Sequence, residues 1–286
     1  MIKTTTFAAA LLLATTALAQ DTRYTPTAPL PLGDTLLTLP TARIPSEGTW
    51  EVKFTHRFNQ SIDQGSFEDQ VHSLFGLDSN ADVAFGLAFV PRPDIQVSVL
   101  RNNTNDTIEA AGKYVILQQA NAVPVTASVR AGVDWRTEQD IADRTSFFAQ
   151  AIVSRQFGRR AEVFVLPTFA THAGRAVTAG GSGALFENAF NVPVGVALMV
   201  RPALSVVAEI IPPNGDLPDE MDGQFGWALG IKRAIGGHYF ELLLTNSTGT
   251  TVDQYVSSTF QGTAFETGNL HLGFNIERRF GRRLRR

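Results

Sequence analysis

An all-β protein is predicted, a closed antiparallel up-and-down transmembrane β-barrel of about 12 strands, and three observations in the 286-residue sequence predict it. Apolar and polar residues alternate with a period of two over most of the chain. The connections between alternating segments are by turns tight and long. No segment after the N-terminus is apolar and uncharged for long enough to cross a bilayer as a helix, which needs about 20 such residues. The mean hydropathy of +0.00 fits this reading, because alternation averages to zero while one face of each strand stays apolar.

Thr49 to Asn59 carries the clearest alternation. Trp50, Val52, Phe54, His56 and Phe58 fall on one face, and Glu51, Lys53, Thr55 and Arg57 on the other. A strand separates these sets, whereas a helix would scatter them around its axis. Pro124 to Arg136, Gln224 to Lys232 and Asn269 to Phe280 repeat the pattern. Further strands are expected at 82–90, 94–101, 106–119, 146–157, 161–171, 192–201, 203–211 and 238–246. Several of these are ambiguous in facing; Phe147 adjoins Phe148, for example, and Phe164 adjoins Val165.

If Thr49 to Asn59 runs outward from the periplasm, tight inner turns fall at 90–93, 120–123, 158–160, 201–202 and 234–237. The outer connections fall at 60–81, 102–105, 137–145, 172–191, 212–223 and 247–268, and all but 102–105 are long. Short turns at one end and long loops at the other are the outer-membrane pattern. A Greek-key sandwich has no reason to alternate in this way.

Barrel closure then assigns the two faces. The lumen-lining set is Glu51, Lys53, Arg57, Glu109, Lys113, Arg130, Asp134, Glu209, Lys232, Glu241 and Arg279, with small residues such as Ala84, Gly86, Ala88, Gly132, Gly226 and Gly230 between them. The opposite face is β-branched and aromatic, suited to hydrocarbon. Trp50, Phe58, Phe89, Trp135, Phe157 and Phe280 lie near strand ends, where an aromatic girdle meets the lipid headgroups.

The ends divide the chain further. Residues 1–19 read as a signal peptide: a basic start at Lys3, the apolar run Phe7 to Leu13, and the small-residue site Ala17-Leu18-Ala19. Residues 20–48 hold five prolines and no sustained period; an extended periplasmic arm is expected, with a plug folded into the lumen as the alternative. The barrel spans 49–280, and 281–286 form a basic tail (GRRLRR). The absence of cysteine excludes disulfides, thiolate metal sites and a lipidated N-terminal Cys.

Catalytic, metal and cofactor chemistry find little support. His56 sits on the apolar face as it would in a membrane-embedded hydrolase, but strand 82–90 supplies no serine beside it, Ser257 and Ser258 fall in a loop, and there is no GxSxG. No enzyme is expected. The five histidines show no ligand spacing, so no metal is expected. Asn214 to Asp222 holds four acidic residues without the order of a calcium loop, and Gly180 to Gly183 lacks the lysine of a phosphate loop. No cofactor is expected. The formal net charge of −3 argues against nucleic acid. Charge is uneven along the axis: loops 60–81 and 212–223 are acidic, while the inner turns carry Arg92, Arg159, Arg160, Arg201 and Arg233. An acidic mouth would concentrate cations.

Several segments, in order, are similar to an uncharacterised family of bacterial outer-membrane β-barrels described only as a domain of unknown function. They are LPT (39–41), HRF (56–58), FGLDS (75–79), GKYVILQ (112–118), SRQF (154–157), GGHYFELLLTNSTGTT (236–251) and LHLGFNIERRF (270–280). The resemblance implies an outer-membrane barrel and supplies no substrate or catalytic residue. Leu270 to Phe280 also resembles the terminal strand that barrel-assembly machinery takes, although six residues follow its aromatic end. The expected partners are therefore outer-membrane lipid, barrel-assembly machinery and a candidate periplasmic partner. The expected activity is a pore for small polar solutes, with a non-conducting docking barrel as the alternative.

Overall fold

The computed structural model describes residues 29–281, apart from 63–64, 75, 79, 121, 140–141, 175, 179–180, 184–185, 214–224 and 258–269. The signal peptide, most of the acidic loop, Gly180 and residues 282–286 of the tail lie outside the described residues.

The chain forms one closed sheet. Its strands are β1 (Trp50–Phe58), β2 (Ala81–Arg92), β3 (Ile95–Asn102), β4 (Thr107–Leu117), β5 (Thr126–Arg136) and β6 (Thr145–Phe157). β7 runs through Ala161–Val165 and Thr168–Ala173, and β8 through Phe186–Asn191 and Val194–Arg201. β9 (Leu204–Ile211), β10 (Gly226–Ile235), β11 (His238–Thr245) and β12 (His271–Phe280) complete the barrel. Every neighbour is antiparallel, and β1 closes on β12 from Trp50↔Phe280 to Arg57↔Gly273. Closure leaves no free edge in lipid, where an unpaired backbone group would cost several kcal/mol.

The breaks in β7 and β8 have one cause. Pro167 and Pro193 have no N–H to donate and sit at the same level of the two strands. Their carbonyls still accept, from Ala151 and Leu166 at 2.9 Å, so the wall stays continuous. The span 172–191, expected as one long loop, is shorter in the structure. β7 extends to Ala173 and β8 starts at Phe186, paired through Asn188↔Thr171 and Phe190↔Phe169. A short hairpin, Ala176–Thr178 with Gly181–Gly183, takes up much of the rest. Glu187 and Asn188 are both exposed, so alternation gave no sign of the strand there.

The ambiguous facings are now assigned. Phe147 is 61% exposed on the outer wall while Phe148 is buried, and Phe164 points inward beside the outer Val165. Outward positions such as Phe85, Val99, Phe190 and Ile231 form an apolar belt. Trp50 stacks on Phe89 at 4.3 Å beside Phe280 at the short-turn end; Phe157 lies at that end, Phe58 and Trp135 at the other. No helix among the described residues is long and apolar enough to cross a membrane.

Inside the barrel lies a compact apolar core. Leu30, Leu32, Leu36, Leu37, Leu39 and Ala42 pack against Phe148, Ile152, Phe164, Val207 and Leu243 of the wall, and Val252, Tyr255 and Val256 belong to the same cluster. The described part of 20–48 is thus not extended along the periplasmic side. It lies in the lumen.

Candidate functional site: an occupied, charged lumen

The N-terminal insert enters from the short-turn end, where the Gly48 N–H donates to Val90 O at 2.8 Å. Its prolines keep it out of the sheet, since each lacks a ladder donor. Its leucines have no face to bury except the interior, each worth about 1.5–3 kcal/mol when removed from water. A tight hairpin results, closed by Leu36 N to Leu39 O and by Thr41 N to Asp34 O, both 2.8 Å.

The tip of that hairpin is held by acids on the wall. The N–H groups of Leu37, Thr38 and Leu39 donate to Glu209 at 2.8, 3.0 and 3.0 Å, a concave row of donors around one carboxylate. The hydroxyl of Thr35 and the N–H of Asp34 donate to Glu277 at 2.7 and 3.2 Å. Lys232 donates to the carbonyls of Leu32 and Thr35 and pairs with Glu241 at 2.7 Å. Asn275 donates to Leu37 O at 2.7 Å. Two ion pairs complete the set, Lys113 with Asp34 and Arg43 with Glu162, each at 2.7 Å. Burial tends to raise the Asp34 carboxyl, but the ammonium of Lys113, helped by Lys53 and Arg130, holds it well below the usual carboxylate range.

A second insert comes from the long-loop end. After β11 the chain turns inward through Thr251 to a single helical turn, α1 (Val252–Tyr255). Carboxylates of the wall again take its backbone donors: Val252 N–H gives to Glu109 and Asp253 N–H to Asp134, each at 3.0 Å. Arg136 clasps Asp253 at 2.6 and 3.0 Å and also donates to His172 O. Gln150 donates to Tyr255 Oη at 2.7 Å, and burial pushes that phenol up. The two inserts meet across a 10 Å³ cavity bordered by Thr38, Glu209 and Tyr255.

The lumen-lining residues expected from alternation thus occupy definite places. Glu51 pairs with Arg279, Glu109 with Arg130, Lys113 with Asp34, and Lys232 with Glu241. Arg57 donates to Asn275 at 2.7 Å, while Asp134 and Glu209 hold the inserts. Lys53 is half-buried and makes no ion pair among the described residues. With Asp34, Glu51, Glu109, Arg130 and Gly86 it borders a cavity of 40 Å³ on the β1–β5 side. Toward the short-turn end, Arg43, Gln119 and Thr126 border another of 180 Å³.

Glu277, which alternation puts on the polar face of the last strand, and Arg136 are missing from the lumen-lining set expected above, although both share the inward parity of Arg279 and Asp134. Asp34, Arg43 and Asp253 had no such signal, because they lie outside the strands. His56 is no part of this set. Its ring stacks on Phe274 at 4.9 Å and lies 4.4 Å from Phe58, and its Nδ1 is buried with no hydrogen-bond partner among the described residues.

No curated protein matches the chain. Among solved structures, the NanC porin superimposes with a TM-score of 0.51 at 8% identity, covering 82% of this chain and 99% of that one. The likeness is one of fold. An outer membrane channel of Pseudomonas putida F1 gives 0.47 at 11% identity, covering 83% of this chain and 97% of that one. Outer membrane phospholipase A of Escherichia coli gives 0.40 at 11%, covering 81% and 90%. The family described as "Membrane bound beta barrel domain (DUF5777)" matches residues 33–280, which takes in most of the N-terminal insert together with all twelve strands. The chain belongs to that family and is a β-barrel of the bacterial outer membrane.

Proposed function

We propose that this barrel is an outer-membrane channel for small polar solutes that rests closed, its lumen shut by the two inserts. The observation that carries the reading is the division of the lumen wall. The inserts pack on the β6–β11 side, and the β1–β5 side keeps charged and small residues beside what space is left. A wall of mixed charge over small side chains suits water and ions, and rings of such charge tune selectivity.

Planar-bilayer conductance tests it. Full-length protein is expected to give rare or very small steps, and a variant lacking residues 20–48 large, steady ones. A milder variant, Glu209→Gln with Asp34→Asn, keeps the chain intact and is expected to raise the opening frequency. Silence from all three after verified insertion would sink the channel reading.

The number of wall strands that grip the N-terminal insert favours a second reading, a non-conducting barrel that anchors the chain's N-terminal side for a periplasmic partner. Equal partner recovery with and without residues 20–48 and 281–286 would count against it. We read the protein as non-enzymatic; hydrolysis of lipid or ester that disappears in His56→Ala would overturn this. β12 serves in this reading as the strand taken by barrel-assembly machinery. Phe280→Ala should then lower the amount of heat-modifiable barrel in the membrane.

A further inference from the structure

We propose that the short-turn rim between β6–β7 and β8–β9 binds the headgroup of an anionic phospholipid. A cavity of 630 Å³ opens there, bordered by Arg159, Arg160 and Arg201 with Leu30, Met199 and Val200. That volume lies within the range of ordinary ligand sites, roughly 300–1,000 Å³.

Its position follows from the fold. Arg159 and Arg160 occupy the turn from β6 to β7, and Arg201 closes β8 before the turn at Pro202 and Ala203. Both turns belong to the short-turn end, which in outer-membrane barrels faces the periplasm. The cavity also straddles the wall. Met199 packs toward the lumen core, whereas Val200 is 57% exposed on the outer face. A ligand seated here can reach over the rim with one end among the arginines and the other in hydrocarbon. Leu198 and Phe157, exposed on the outer face of the same strands, continue that apolar path.

Charge selects the head. The three exposed guanidinium groups make no ion pair among the described residues. This contrasts with the lumen arginines 57, 130, 136 and 279, each of which has a named polar partner. Guanidinium forks match phosphate oxygens in pairs and shed their weak hydration readily. An acyl chain along Val200 and Leu198 distinguishes a lipid from a free phosphate.

The test is native mass spectrometry of the full chain in detergent, titrated with phosphatidylglycerol, phosphatidylcholine or inorganic phosphate. Phosphatidylglycerol is expected to remain bound at the lowest lipid concentration. The variant Arg159→Ala/Arg160→Ala/Arg201→Ala should bind it about tenfold more weakly, the effect of losing roughly one charge-assisted hydrogen bond. Arg92→Ala, on another turn of the same end, should bind it like the parent. Heat-modifiable migration shows whether each variant is folded; if the triple variant is not, Arg201→Ala alone takes its place with the same direction of effect. Unchanged phosphatidylglycerol binding in the folded variant overturns the proposal. So does displacement of the lipid by an equal concentration of inorganic phosphate, which would make the cavity a free-phosphate site. None of these outcomes depends on conductance, so they stand apart from the channel reading.

Discussion

The two arcs of the lumen wall solve the same problem by different means. From β6 to β9 the inward residues include Phe148, Ile152, Phe164, Leu166, Val207 and Ile211, and the leucines of the N-terminal insert pack against them as in a water-soluble core. From β12 through β1 to β5 the inward residues are Glu277, Arg279, Glu51, Arg57, Glu109, Lys113, Arg130, Asp134 and Arg136, buried or partly buried in a web of ion pairs and hydrogen bonds. A twelve-stranded barrel is too wide for its own wall side chains to fill. One arc therefore borrows apolar volume from another part of the chain, and the other offsets the cost of burying charge by pairing it. The first arc gives stability. The second keeps the polar groups that a solute would meet in the proposed channel.

The largest expected effect comes from breaking a buried ion pair, the one between β10 and β11 that flanks the charged arc. Lys232→Ala leaves Glu241 without its cation and frees the carbonyls of Leu32 and Thr35. Urea unfolding of the vesicle-inserted barrel should show a loss of about 3–5 kcal/mol, the usual result of removing one partner of a buried pair. The apolar arc should answer nearly as strongly. Phe164→Ala opens a cavity against the insert and should cost about 3–5 kcal/mol. Phe169→Ala, on the outer face of the same strand, should cost far less, because lipid closes over the gap. Equal losses from the two would mean that the insert does not pack as described.

Filling space is the gentler probe. A Cβ added at Gly230 of β10 would lie 2.9 Å from Leu37 Cδ2 and 2.7 Å from the carbonyl of Leu242. Gly230→Leu should therefore displace the hairpin at a cost of about 1–3 kcal/mol. Protease cleavage within residues 29–48 should rise in this variant and not in Gly112→Leu, where a Cβ meets nothing within 4 Å.

Acid gives the smallest effect. Asp34 has a depressed folded value, so its pairing with Lys113 stabilises the insert fully above the ordinary carboxylate value of 3.8. The contribution is lost only as pH falls below that value toward the folded one. The share of insert cleavage that Asp34 controls, read as the difference between the parent and Asp34→Asn, should stay flat from neutral pH down to about pH 4 and change below it. The same acid response in parent and variant would place the sensitive group elsewhere.

Much of this was legible in the sequence, and the failures are instructive. The spacing of turns together with alternation placed twelve strands, short of the Phe186–Asn191 part of β8, and parity put Glu51, Lys113, Glu209 and Lys232 in the lumen. The segments that read poorly, at Phe147-Phe148 and Phe164-Val165, are the ones whose inward face meets the insert. Where both faces of a strand are apolar the period of two fades, so the loss of alternation was itself a trace of something apolar inside. The leucines of 30–39 carried the complementary trace, but prolines at 29, 31 and 40 made the segment look like an extended arm.

What the sequence determined by itself was the closed β-barrel in the outer membrane, because strand periodicity and turn spacing are local properties repeated twelve times. Only the tertiary structure decided what occupies the barrel. Asp34 and Lys113 are 79 residues apart and Leu37 and Glu209 are 172 apart, and neither pairing leaves a periodic mark. Buried charge must find a partner and buried leucine a neighbour, yet which ones they find depends on where closure of the sheet brings the two ends of the chain. The barrel is written along the chain; its contents are written across it.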